Sequence, residues 1–472
     1  MKRLISIGVT CTMLTSAAVA QNFQVEPIIG FPDFGYMEDP GTGDGQYTGP
    51  VFVLADQYPT TMPALDQGAQ DILQMDFMGD SINYAVAVRD YIFEGNIRGG
   101  DVERDFDLHL NTNNRDWYHA PWQHWGSLGR EGYHGLTREG PLSANVLDKT
   151  QTDSSYAYAV GFYNGPGGLT FGKVWPSADQ GPDLSSLIAG EGFPEGTIVG
   201  KFLFTVLDDT QVGYLTNPLQ WNAYMYNCDV PSSPSYLKCS TDKTRSTQKI
   251  NLLQMDIMVK DSRAVDSAGW VFGTFAYNGN LPAKHDYSAA CEQYAGDGKK
   301  WCNLVPVGVM WGNDPDNNIG YLNETPSVDS PTFFNKTLTQ TVINPSPDLP
   351  AQHLGWAGRL DGPADNPGSS CMSCHSTGQY PAVSPIMLTF NPAEMPQNGE
   401  KADEEWMRYF RNFKDGEAFD PGRAVSTDFS MQMLKSIQNY VEWRSQSQDG
   451  KYAVQYWTDN NVNAVTRGSV FE

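Results

Sequence analysis

Cys371-Met372-Ser373-Cys374-His375 constrains this 472-residue chain more than any other feature. Two thiols with two residues between them can reach both vinyl groups of a haem and close thioether bonds. The histidine that follows at once then lies beneath the iron as an axial ligand. A zinc site would want a second ligand pair, and the chain has no other Cys-x-x-Cys. A thioredoxin-like motif would want a βαβ setting, whereas Asp361-Gly-Pro-Ala-Asp-Asn-Pro-Gly368 precedes these cysteines. The expectation is one covalent haem c, held through Cys371 and Cys374, with His375 as the proximal iron ligand.

The start of the chain agrees with that chemistry. Lys2 and Arg3, an apolar run and Ala18-Val19-Ala20 read as a secretory signal over residues 1–20, with the mature chain starting at Gln21. Export implies a periplasmic location, where haem c is attached. The apolar run is too short for a membrane anchor, and no later segment has the length of a spanning helix. The net charge of −24 argues against nucleic acid and anionic membranes as partners and is compatible with a basic redox partner protein. Of seven cysteines, Cys11 lies in the leader and two in the motif. The other four fall as Cys228 with Cys239 and Cys291 with Cys302, each pair close enough to close a local disulfide in an oxidising compartment.

The organisation reads as α+β: a β-rich antiparallel body, then a C-terminal haem c segment containing two α-helices. Aromatics are abundant, and long helical patterns are scarce before residue 400. Residues 197–206, 270–277 and 305–311 read as strands. In 253–259, Leu253, Met255, Ile257 and Val259 alternate with Gln254, Asp256 and Met258, which puts the first set on one buried face. The prolines of Asn344-Pro-Ser-Pro-Asp-Leu-Pro350 mark a linker or surface crossing. These signals divide the mature chain into 21–180, an N-terminal β-rich region; 181–343, a second β region; and 344–472, the haem segment. Within the last, Asp403, Glu404 and Glu405 open a helix with Trp406, Phe410 and Phe413 on one face. A second runs from about Asp428 with Met433, Leu434, Ile437, Tyr440 and Val441 at helical spacing, capped by Ser426 or Thr427. Both helices would seal the haem edge.

The sixth iron ligand divides the functional readings. Methionine favours electron transfer, while an open position allows ligands and catalysis. Met395 and Met387 both follow the motif at suitable distances. Met395 is the preferred candidate because Pro396 restricts its loop, and His353 is a further candidate.

Beyond the motif, the chain resembles c-type cytochromes, and two stretches are similar to the cytochrome P-460 and cytochrome c-prime-beta family. They are Phe193-Pro-Glu-Gly-Thr-Ile-Val-Gly-Lys201, and Val259-Lys-Asp-Ser-Arg263 leading to Gly269-Trp-Val-Phe-Gly273. A Phe-Thr-rich strand follows the motif in that family, and Ile386-Met-Leu-Thr-Phe390 is the nearest match. The resemblance implies a mainly antiparallel β fold around one haem c with an apolar, open distal face. By motif position, Lys201 is the candidate for the lysine that is cross-linked to the porphyrin in the P-460 branch; read as a residue alone, it is a solvated strand lysine. The longer gap between Trp270 and Cys371 departs from the family pattern.

Two further features stand apart. His119, His124 and His134 cluster among aromatics, either as a distal pocket, substrate or metal site, or as core histidines bonded to backbone. Asn313-Asp-Pro-Asp-Asn-Asn318 lacks the glycine and terminal glutamate of a calcium loop and reads as a polar turn. The expected function is periplasmic electron transfer by a monohaem c-type cytochrome. The alternative is a haem c oxidoreductase or gas-ligand-binding protein of P-460 type.

Overall fold

The computed structural model describes residues 57–97, 111–123, 136–176, 181–226, 245–320, 335–350, 354–389 and 391–445. The frame is an eight-stranded sheet whose pairings are all antiparallel. Its strands are β1 (Thr137–Leu142), β2 (Ser155–Tyr163), β3 (Ile198–Thr205), β4 (Gln220–Tyr226), β5 (Arg245–Lys260), β6 (Trp270–Tyr277), β7 (Leu304–Met310) and β8 (Thr341–Ile343). They lie in the order β1-β2-β3-β5-β6-β7-β8, with β4 on the first half of β5. A two-stranded piece joins β9 (Gln379–Tyr380) to β10 (Val425–Ser426). The protein is thus mixed helix and strand around an antiparallel sheet. The expected strands 197–206, 270–277 and 305–311 match β3, β6 and β7 to within a residue, and 253–259 is the second half of a longer β5.

Leu253, Met255, Ile257 and Val259 are buried on one face, as their alternation requires. They pack with Ile198, Phe202, Val271 and Phe275, beneath Trp117, Trp301 and two helices. The helices are α1 (Gln67–Gln74) and α2 (Ser81–Phe93). Asp66 caps α1 by accepting from the Ala69 N–H at 3.2 Å. Tyr84, Val88 and Ile92 are buried at i, i+4 and i+8 of α2. The sequence hides α2 because aromatic and β-branched residues, which favour strands, fill most of it.

The opposite face is covered too, which the alternation did not imply. Val199, Met258, Trp270, Phe272 and Met310 pack there against Trp356, Met372, Phe410, Phe413, Phe429, Met433 and Ile437 from the last third of the chain. Helix α3 (Gly165–Val174) adds Phe171 to this second core, and the turn α4 (Ser185–Ile188) adds Leu187. Because β2 pairs with β3, strands on both sides of residue 180 share one sheet. After β8 ends at Ile343, residues 344–350 run without helix or strand, as their prolines require.

The C-terminal segment holds the motif helix α5 (Cys371–His375), then α6 (Glu404–Met407) and α7 (Met431–Ser445). The helix expected after Asp403 is only this single turn and a 3-10 turn at Arg408–Phe410. Asp403 caps it, and Trp406, Phe410 and Phe413 are buried as expected. It stops there because Phe413 bridges to Ser267 in extended backbone and Arg411 turns away to pair with Glu417. Helix α7 buries Met433, Leu434 and Ile437 but begins three residues later than expected. Asp428 and Phe429 have φ of 48° and 65° and cannot be helical. Ser430, rather than Ser426 or Thr427, accepts from the Met433 N–H at 3.0 Å. Among the described residues no helix is long and apolar enough to cross a membrane.

Cys291 and Cys302 form the expected disulfide beneath the first core, with Cα atoms 6.0 Å apart. Cys228, Cys239 and the expected leader at residues 1–20 lie outside the described residues. Closing so short a loop in the unfolded chain is worth about 3 kcal/mol. The double change Cys291→Ala, Cys302→Ala should therefore lower the denaturation midpoint by a matching amount, read by urea unfolding. A reduced wild type that unfolds at the oxidised midpoint would contradict the bond's role.

Candidate cofactor site

The motif is a one-turn helix because its start is doubly capped. Ser370 accepts from the Ser373 N–H at 3.0 Å, and the Ser373 hydroxyl accepts from the Ser370 N–H at 2.8 Å. The lead-in is pinned by Trp356 N–H to Ser369 O at 2.8 Å and Cys371 N–H to Leu360 O at 3.0 Å. Gly355 lies so close that a Cβ there would sit 2.0 Å from the Ser369 carbonyl oxygen. Met372 and Ser373 face into the second core, while Cys371, Cys374 and His375 stay half-buried.

His375 Nδ1 lies 2.8 Å from the Phe429 carbonyl oxygen, and its ring is 5.4 Å from the Phe272 ring. A carbonyl only accepts, so Nδ1 carries the hydrogen. Burial pushes the imidazole pKa down to about 4, which keeps the ring neutral. The free electron pair is therefore on Nε2. Burial, reinforced by Asp361, raises the Cys371 thiol well above its ordinary value and Cys374 to about 12. Two thiols and a neutral imidazole with its ligating nitrogen free fit the donor set of a haem c.

The sheet presents a polar row to these groups. Lys201 on β3 pairs with Asp256 on β5, and Asp256 pairs with Thr274 on β6. Gly161 and Gly308 continue the row at either end. The Thr274 hydroxyl lies 3.6 Å from Cys371 Sγ. Lys201 Nζ donates to Glu139 at 2.8 Å. Burial works against the Lys201 ammonium, but Glu139, Asp256 and Asp365 outweigh it and raise its pKa. Gln254 ties the row to the motif's lead-in: its amide nitrogen donates to Asp256 and Asp365, both at 2.8 Å, and its oxygen accepts from the Ala364 N–H. Burial, with Asp365 as the next cause, raises Asp256 to about 7, and the same two causes raise Asp361 well above the carboxylate range.

Of the residues singled out from sequence, Cys371, Cys374, His375 and Lys201 come together here. Met387 is buried behind α5, its sulfur 3.7 Å from the Ser373 hydroxyl. Met395 is buried against Gly368, where a Cβ would sit 2.5 Å from its sulfur. His119 is buried, and its carbonyl accepts from Tyr58 at 2.6 Å; His124, His134 and His353 lie outside the described residues. In the 313–318 turn, the carbonyls of Asn313, Asp314 and Asn317 accept from the buried Arg359 guanidinium at 2.7–2.9 Å. That cationic side chain takes the carbonyls a metal ion would use. Asp256, Gln254, Asp361 and Asp365 were not singled out. Gln254 and Asp256 alternate with apolar residues on β5, which is also the signal of a solvated face, while Asp361 and Asp365 lie in the irregular lead-in to the motif.

No protein-family model, curated protein or solved structure matches this chain. The segments of the P-460 resemblance fall on β3, the end of β5 and β6, which are neighbours. The expected strand at Ile386–Phe390 is not formed: Ile386, Met387 and Leu388 lie in bends, and Phe390 is outside the described residues. Pro385, next to it, cannot donate to a sheet ladder.

Asp256 carries a pH prediction. Folded, its carboxyl holds its proton up to about pH 7; unfolded, it releases it near the ordinary 3.8. Stability should therefore fall as pH rises from about 4 to about 7 and level off above. Asp256→Asn, which keeps an acceptor for Gln254 and Thr274, removes that loss. Its melting temperature should gain on the wild type across this range; parallel melting curves would refute the assignment.

Proposed function

We propose that this protein is an exported monohaem c-type cytochrome that passes single electrons to or from a protein partner. The observation that carries the proposal is the pairing of Cys371 and Cys374 on one helical turn with a neutral His375 whose Nδ1–H is held by Phe429. Cys371 and Cys374 would hold the porphyrin edge, and His375 Nε2 would take one axial position. Haem bound there would supply a one-electron iron centre. The chain's own part is to orient that ligand and to exclude water. Phe272 packs on the His375 ring, Phe429 packs on Phe272 and Phe413 on Phe429, and this aromatic cluster supplies the exclusion. The Phe429 hydrogen bond fixes the ring and raises its basicity as a ligand. The overall charge of −24 suits a basic partner.

A second reading, a haem c oxidoreductase or gas-ligand binder with an open distal side, is favoured by the row Lys201–Asp256–Thr274. Titratable groups facing a cofactor can deliver or accept protons for chemistry on a small ligand.

Replacing both Cys371 and Cys374 with Ala should abolish covalent haem. The check is haem staining on a denaturing gel, and a stain that survives both changes would sink the proposal. The sixth ligand separates the two readings. Under electron transfer, Met395→Ala, or failing that Met387→Ala, should remove the near-infrared sulfur-to-iron band and open the reduced protein to carbon monoxide. Wild-type reduced protein that binds carbon monoxide at once would decide for the second reading.

A further inference from the structure

The Phe429 carbonyl reaches His375 only because two consecutive residues without glycine's freedom, Asp428 and Phe429, adopt left-handed backbone at φ 48° and 65°. Such conformations persist only where the surroundings over-determine them. What surrounds Asp428 does so. One carboxylate oxygen accepts from Lys260 Nζ at 3.0 Å and Trp270 Nε1 at 2.9 Å. The other accepts from Lys260 Nζ at 2.9 Å and the Phe193 N–H at 2.6 Å. The Asp428 N–H donates to Ser426 Oγ at 3.0 Å. Both side chains of the ion pair are nearly inaccessible, at 8% and 2% exposure. Gly192 passes so close that a Cβ there would lie 2.2 Å from the carboxylate. Lys260 is held in turn by the Ala268 carbonyl and Asp415.

We propose that Asp428 is a positioning residue for His375. Anchored by Lys260, Trp270 and the Phe193 N–H, its carboxylate forces the turn that aims the Phe429 carbonyl at His375 Nδ1. Lys260 and Trp270 stand at the facing ends of β5 and β6. The paired ends of these two strands therefore set the orientation and electron-donating strength of the proposed iron ligand, through Asp428. A hydrogen bond from Nδ1 makes the imidazole a stronger donor and stabilises oxidised iron. This inference rests on the haem reading of the same site.

The test uses the full-length protein as exported with its haem. Asp428→Asn keeps the size of the side chain but loses the charge that binds Lys260. It should raise the reduction potential and speed solvent exchange of the His375 Nδ1–H, followed by NMR with labelled histidine. Trp270→Phe removes one of the anchoring bonds with less disturbance and should shift both in the same direction by less; it serves alone if Asp428→Asn does not accumulate. Asp415→Asn touches only the solvent side of Lys260 and should move neither. Asp403→Ala removes a helix cap elsewhere and should lower the melting temperature with the potential unmoved. A lower melting temperature with unchanged potential and exchange in the Asp428 and Trp270 variants would overturn the proposal, leaving the network a structural anchor. Wild-type protein without covalent haem would overturn the haem reading instead, while the exchange measurement still decides whether Asp428 orients His375.

Discussion

Trp270, Phe272 and Met310 on the sheet pack against Trp356, Met372, Phe410, Phe413 and Phe429, which lie far along the chain. Each large side chain buried in full contributes about 2–3 kcal/mol. This interface is therefore what holds the C-terminal third in place. It also explains why strands β6 and β7 are buried along their whole length, where an antiparallel sheet commonly leaves one face to solvent. The motif helix stands at this interface. Its two buried residues, Met372 and Ser373, are turned into the core, and the Cys371 thiol lies against Thr274 of the polar row.

Polar groups in such an interface are costly unless each is satisfied. The two buried networks meet that cost in different ways. Lys260 and Asp428 carry opposite charges and their hydrogen bonds are made, so they specify one arrangement of the turn before α7. Asp256, Asp361 and Asp365 are like charges gathered around Gln254, and two of them respond by holding protons to higher pH. The first network is built for rigidity. The second leaves a protonatable wall beside Cys371, and strongly perturbed groups of this kind concentrate at working sites.

Much of the frame was legible because it is local. β3, β6 and β7 follow from runs of β-branched and aromatic residues, and the buried set on β5 follows from period two. The absence of helix and strand at 344–350 follows from its prolines, and the Cys291–Cys302 disulfide from its spacing. The failures have one cause. α2 was hidden because its residues favour strands, and the helix after Asp403 was overextended because the bridge from Phe413 to Ser267 depends on distant chain. The start of α7 was misplaced because Asp428 answers to Lys260, which lies on the sheet. Local propensity had no access to any of these partners.

For the site, the sequence by itself determined the donors. Cys371, Cys374 and His375 are five-residue chemistry, and no folding is needed to see which atoms they offer. Tertiary structure decided the rest: which imidazole nitrogen is free, which face the thiols turn to, and what stands opposite them. Lys201, Asp256 and Thr274 lie on three different strands, and Phe429 reaches His375 from the far side of β10. Cross-strand register and buried charge pairing set these relations. Both are properties of segments brought together across the chain, so no window of sequence contains them.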